Sequence, residues 1–233
     1  MNELIIHTHI GLGDQILCNG LIRYLLEKDG YDSIDIFSKK NHFEMIKFMY
    51  RDDPRINVIN INSNDGGSVE YNFVANYRQK NKQKKFLRVG HEHLPPDHVN
   101  KTKNCWEYFY EQLNMPHKIK IDYFKLKEDL HEENRVYNKL NPSNEEFIFV
   151  HDVSSVGKFS LNIESDLKMI KNDVSENVFH FTKILREAKE IHVIDSSFKC
   201  MLDMIPTTGK LHYHEIKKYP LGNTFKDWEI VSY

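Results

Sequence analysis

The chain has 233 residues, of which 40% are hydrophobic, 12% aromatic and 28% charged, the composition of a folded globular protein rather than a disordered or fibrous one. Its 32 Lys and Arg against 34 Asp and Glu leave a net charge of -2, so no overall field draws it to nucleic acid or anionic lipid, and any anion must be held locally. Three scattered cysteines, Cys18, Cys105 and Cys200, without a CxxC spacing, point to neither a disulfide framework nor a zinc knuckle and fit a reducing compartment.

The N-terminal MNELIIHTHIGLGD lacks the basic start, apolar run and cleavage site of a signal peptide, and no run of about 18 apolar residues is present to span a bilayer. A cytoplasmic protein is expected, with no integral membrane segment and with peripheral contact left open. The length suits two compact halves of roughly 100 residues each.

In chain order, LIIHTHI (4–10) predicts a strand. Residues 15–28 place Ile16, Leu17, Leu21, Tyr24 and Leu25 on one helical face, and SIDIFS (33–38) predicts the next strand, completing a βαβ unit. A helix over 42–51 and a strand over 56–62 continue the alternation, while 66–81 reads as neither. KKFLRVGH (84–91) predicts a strand that runs into the loop HEHLPPDHVNKTKN. A helix over 104–114 stops near Pro116, and IKIDYF reads as a short strand. The charged stretch KLKEDLHEENRVYNKLNPSNEE predicts an exposed helix ending before Pro142, with 128–145 as a connector.

The alternation then restarts. FIFVHDV (147–153) and DLKMIK (166–171) predict strands, VFHFTKILREAK (178–189) an amphipathic helix, and EIHVIDSS (190–197) an apolar strand ending in a polar turn. A helix begins near Phe198 and a last strand lies at 211–215. The expected fold class is α/β, with two Rossmann-like domains, 1–127 and 146–233, facing a cleft.

The first predicted strand-to-helix turn is GLGD. Gly11 and Gly13 make room for a ligand or neighbouring chain to approach the backbone, and Asp14 falls at the positive end of the following helix. A dinucleotide fingerprint would need a third glycine where Ile16 stands, and a phosphate loop would need Gly-Lys-Ser/Thr before the helix, which disfavours an NAD-type oxidoreductase and a P-loop enzyme. Spacing alone leaves Asp14 open as either a helix cap or a catalytic carboxylate.

HIGLGDQILCNGLIRYL (9–25) resembles the N-terminal glycine-rich loop and first helix of GT-B glycosyltransferases, particularly the ADP-heptose:lipopolysaccharide heptosyltransferase group and its relatives. The resemblance implies that Asp14 is the base that takes the proton of an acceptor hydroxyl as it attacks the anomeric carbon. FIFVHDVSSVGKF (147–159) resembles the first strand and loop of the C-terminal domain of such enzymes, which implies that Lys158 contacts the donor phosphates. IHVIDSSFKCMLDMI (191–205) resembles their donor-phosphate turn, with Asp195, Ser196 and Ser197 in place and no glycine; a serine N-cap on an ordinary helix is the alternative.

A nucleotide-sugar donor, a glycan or glycolipid acceptor, no cofactor beyond the donor and no metal are thereby implied, since neither half shows a DxD-type element at a strand end. His9, beside the glycine turn, and His151, at a strand end of the second half, are candidate cleft residues. TFKDWEIVSY reads as a remnant of the C-terminal helix that returns to the first domain in that family. The alternative function is a non-catalytic nucleotide- or glycan-binding protein of the same shape.

Histidines recur in pairs: His7 with His9, His212 with His214, and His91, His93 and His98 in one loop. No carboxylate or cysteine completes any of these sets at a recognised spacing, so metal binding is not expected. Trp106, Tyr108, Phe109 and Tyr110 read as core at helical spacing, and KNKQKK (80–85) as a solvated face. Ser196, Ser197 and Cys200 lack the motif partners of hydrolase nucleophiles.

Overall fold

The computed structural model describes residues 2–91, 103–154, 157–216 and 221–233. The chain divides into two compact units, the first running through Lys127 and the second from Glu128.

The first unit contains β1 (Glu3–His7), α1 (Leu12–Leu17), α2 (Asn19–Lys28), β2 (Ser33–Ser38), α3 (Phe43–Met49), β3 (Ile56–Asn60), α4 (Ser68–Lys80), β4 (Lys85–Arg88), α5 (Cys105–Gln112) and α6 (Ile119–Asp122). Its four strands pair in parallel in the order β3-β2-β1-β4, with Ile5 opposite Asp35 and Phe86. Ile5, Ile10, Phe37, Ile61 and Val74 form a core cluster, so α4 packs through Val74 on the sheet. Only Glu70 and Val74 of α4 are buried, which is why residues 66–81 carry no readable apolar stripe. The first helix begins three residues earlier than expected and is interrupted at Cys18 between α1 and α2.

IKIDYF is not a strand. Residues 119–122 form the helical turn α6, with the Asp122 amide donating to the Lys118 carbonyl at 2.9 Å and the Tyr123 amide to Ile119 at 3.1 Å. The alternating pattern is short, and tertiary packing overrides it: a Cβ on Gly20 would lie 2.6 Å from the Ile119 carbonyl oxygen, so α2 rests directly on this backbone. Lys120 is buried here, its ammonium 3.8 Å from the centre of the Trp106 ring. Trp106, Phe109 and Tyr110 are core residues.

The second unit contains α7 (Leu130–Leu140), β5 (Phe147–His151), β6 (Val153–Ser154), β7 (Gly157–Lys158), β8 (Lys168–Lys171), a 3-10 helix (Val178–Phe181) leading into α8 (Thr182–Glu187), β9 (Glu190–Val193), α9 (Ser197–Leu202), β10 (Lys210–Glu215) and β11 (Trp228–Ser232). Five strands pair in parallel in the order β11-β10-β9-β5-β8, and β6 and β7 form a small antiparallel hairpin. Despite its charge, α7 is not an exposed helix: Val136 and Tyr137 are buried, and buried Glu133 pairs with Arg186 of α8. Its Asp129 cap accepts from the Glu132 amide at 3.2 Å.

TFKDWEIVSY is likewise no helical remnant. Its Trp228–Ser232 portion is the edge strand β11, in register with β10 from Leu211 opposite Trp228 to Glu215 opposite Ser232. A Trp and the β-branched Ile230 and Val231, placed beside an open strand edge, favour pairing over a helix.

Each sheet reverses its winding once. In the first unit the neighbours of β1 are β2 on one side and β4 on the other; in the second, the neighbours of β5 are β8 and β9. The carboxyl ends of β1 with β4, and of β5 with β9, are therefore the topological switch points, where open α/β sheets bind their ligands.

Candidate functional sites at the two switch points

In the first unit β1 ends at His7, and the chain turns through Gly11 into α1. Gly11 is the N-cap, in ordinary extended conformation, with no side chain of its own to cap the helix; its carbonyl accepts from the Gln15 amide at 3.0 Å. The glycine is required for a different reason. A Cβ on Gly11 would lie 2.7 Å from Oδ2 of Asp14, so the absence of a side chain lets this carboxylate fold back over the turn. Asp14 is partly exposed, and its Oδ1 takes the Cys105 thiol at 3.8 Å. Gly13 lies within the first turn of α1 beside it. Buried Gln15 ties the turn to the strand end by donating to the Thr8 hydroxyl at 2.8 Å and to the His9 carbonyl at 3.0 Å.

His9 stands at the same edge. Its Nε2 donates to the Gly90 carbonyl at 2.8 Å, which fixes its tautomer, and its ring meets His91 and Phe109 edge-on at 4.7 and 5.1 Å. Gly90 permits this arrangement twice over: its φ is +83°, and a Cβ there would lie 2.5 Å from the Phe109 ring. His7 faces Glu70 of α4, and His91 joins them, a grouping that sequence spacing did not suggest because the carboxylate comes from a helix 63 residues away. His93 and His98 lie outside the described residues.

In the second unit, the turn after β9 and the hairpin after β5 lie side by side, because His151 is opposite Val193 and the Ile194 amide donates to the His151 carbonyl at 3.3 Å. Asp195, Ser196 and Ser197 occupy the turn, all partly exposed. Ser196 is the N-cap of α9 and its hydroxyl accepts from the Lys199 amide at 3.5 Å; Ser197 is the first helical residue. Lys158 ends the hairpin opposite Val153, exposed to solvent.

His151 is buried. Its Nδ1 meets Asn172 Oδ1 at 2.8 Å, its ring lies 4.6 Å from that of Phe198, and burial pushes the imidazole pKa down. Asp152, next to it, is held by Lys171 Nζ at 2.5 Å. Thus the structure gathers His9, Gly11, Gly13 and Asp14 at one switch point, and His151, Lys158, Asp195, Ser196 and Ser197 at the other.

No family model matches the chain, and no curated protein matches it in sequence. Among solved structures it is similar to the glycosyl transferase family 9 protein from Veillonella parvula DSM 2008, with a TM-score of 0.61 and 10% identity over 99% of this chain and 87% of that one. It is also similar to E. coli ADP-heptose LPS heptosyltransferase II, with a TM-score of 0.62 and 12% identity over 99% of this chain and 90% of that one. The fold is GT-B-like. At such identities the likeness is one of fold, and chemistry must be argued from the residues. Among the described residues, no helix is long and apolar enough to cross a membrane.

Proposed function

We propose that this GT-B-like protein is a glycosyltransferase that moves a sugar from a nucleotide-sugar donor to a hydroxyl group of a glycan or glycolipid in the cytoplasm. The observation that carries the reading is that both candidate residue groups lie on the switch points of their sheets, in a chain whose fold is that of sugar-transferring enzymes.

In this reading the acceptor oxygen attacks the anomeric carbon, the bond from that carbon to the donor phosphate breaks, and the hydroxyl proton passes to Asp14. The carboxylate raises the nucleophilicity of an otherwise poor alcohol nucleophile. The departing nucleoside diphosphate is held by Lys158 and by the Ser196 and Ser197 turn, oriented by Asp195, so that negative charge developing on the leaving oxygen meets a cation and hydrogen-bond donors. No metal is assigned to that step and no cofactor is needed besides the donor. Direct attack inverts the anomeric centre.

The test begins with a panel of nucleotide sugars read by thermal shift, followed by turnover of the stabilising donor with wild-type protein and Asp14→Asn. Binding of one donor class with turnover that collapses in the variant supports the proposal. Donor binding without turnover by the wild type, across a panel of glycan acceptors, would favour the non-catalytic binding protein, a reading to which the use of the Ser196 hydroxyl as a helix cap lends weight. No response to any nucleotide sugar removes both.

A further inference from the structure

Beside the opening turn, three side chains from three elements converge. His7 is the last residue of β1, His91 follows β4, and Glu70 lies in the first turn of α4. Glu70 Oε1 is 2.6 Å from His7 Nε2 and 3.9 Å from His91 Nε2, and the three donor atoms lie within 4.8 Å of one another. The side chains are 1%, 8% and 7% exposed for His7, Glu70 and His91 respectively, so this is an interior cluster and not a chance meeting of surface groups.

The imidazoles are held in place independently of the carboxylate. Phe37 and Tyr71 meet the His7 ring edge-on at 5.9 and 5.8 Å, and His7 and His91 stack at 4.1 Å with their planes 29° apart. The Tyr71 hydroxyl engages His91 Nδ1 at 3.1 Å, the kind of second contact that orients a metal-ligating histidine. The other nitrogen, Nε2, is buried and has no hydrogen-bond partner among the described residues, although it is directed to the Glu70 side. The contact between His7 and Glu70 alone leaves that nitrogen without a hydrogen-bond partner.

We propose that His7, Glu70 and His91 form a zinc-binding site in the first unit. Two imidazole nitrogens and one carboxylate, with further positions open, are the donor set of an open zinc site, and the absence of thiolate distinguishes it from structural cysteine sites. Zinc lies about 2.1 Å from such donors, which places tetrahedral ligands roughly 3.4 Å apart. The His7 to Glu70 contact therefore opens by less than an ångström on binding, and His91 closes by a similar amount, displacements within reach of χ rotations. His9 flanks the site without joining it, because its Nε2 is engaged by Gly90.

The second unit supplies an internal control. Glu190, His192 and His212 also approach one another. There the His212 Nε2 is likewise buried without a hydrogen-bond partner among the described residues, but Glu190 is 31% exposed against 8% for Glu70, so its carboxylate is left to water rather than held in the interior.

The inference is independent of sugar transfer and is tested without a donor. Full-length protein stripped with chelator is titrated with ZnCl2 by calorimetry and native mass spectrometry, and with Co2+ by visible absorption. The expected result is one tightly held equivalent, a raised melting temperature and the d–d bands of a low-coordinate Co2+ site. Glu70→Gln and His91→Asn, checked for folding by circular dichroism, should each weaken zinc binding by about 10²-fold or more, whereas His192→Gln retains it. Failure of the wild type to bind a stoichiometric zinc overturns the proposal without reference to any variant. So does unchanged affinity in folded Glu70→Gln and His91→Asn, or loss of the zinc in His192→Gln.

Discussion

At Gly11–Asp14 the helix starts with no side chain on its N-cap, and a carboxylate folds over a glycine toward the thiol of Cys105; at Asp195–Ser197 the Ser196 hydroxyl closes onto the amide of Lys199. Both turns follow a strand that borders a switch point, yet one folds its acidic side chain back over a glycine while the other uses its first hydroxyl to start the helix. The contrast teaches that similar strand-to-helix motifs divide their polar groups differently between fold and chemistry. In the proposed reaction Asp14 is the group whose removal should cost turnover, and Ser196 the group whose removal should cost stability first.

The largest expected effect is that of Asp14→Asn. It keeps the shape of the turn and removes the proton acceptor, so turnover should fall by roughly 10²- to 10⁴-fold while the donor-induced thermal shift persists. Turnover equal to that of the wild type would falsify the assignment of Asp14 as base and erase the distinction between the turns.

Gly11→Ala probes the same point from the backbone. The new methyl group would lie 2.7 Å from Asp14 Oδ2 and must displace the carboxylate, so turnover should drop by up to about 10²-fold through misplacement alone. Steady-state kinetics at saturating donor reads this, and a Gly11→Ala enzyme with normal kcat would show that the carboxylate's position does not matter.

Ser196 offers a cleaner separation of roles. Ser196→Ala should lower unfolding free energy by about 1 kcal/mol through loss of the cap. Ser196→Asp should restore the cap but repel the donor phosphates, so denaturant unfolding recovers and donor affinity does not. Recovery of both would make Ser196 purely structural.

The smallest effect sharpens the comparison at the level of the whole units. Glu176 is gripped by Arg135 at 2.5 Å and by Lys139 at 2.7 Å, and these hydrogen bonds to cations hold its carboxyl down at about 2. Because this folded-state value lies below the ordinary 4.5 of a glutamate, the contribution is complete above pH 4.5 and is lost as pH falls from there toward 2. Glu176→Gln should flatten that part of the acid-unfolding profile of the second unit. An unchanged profile would show the cluster to be too solvent-screened to matter.

Much of this architecture was legible in the chain because alternation and β-branched runs report directly on a buried parallel sheet. SIDIFS is β2 over the same six residues, and FIFVH and EIHV are β5 and β9, each ending earlier than the expected strand. Errors fell where local pattern and packing disagree. IKIDYF alternates like a strand but curls beneath Gly20; α7 is charged enough to look solvated yet buries Val136 and Tyr137; the C-terminal segment found an open strand edge to pair with. For the candidate sites, the glycine turn and the Asp195–Ser197 turn could be marked from residue order alone, since caps and tight turns are local. That Ser196 is engaged as a cap, or that His151 lies against Phe198, could not.

By itself the sequence determined the α/β class, the two successive strand-helix series and the identity of both polar turns, because secondary-structure period and turn chemistry act over a few neighbouring residues. Only the tertiary structure decided the strand order that makes switch points of those turns, and the meeting of Glu70 with His7 and His91 across 63 and 21 positions of chain. Such meetings depend on crossover direction and core packing, which are properties of the whole sheet, and no local pattern encodes them.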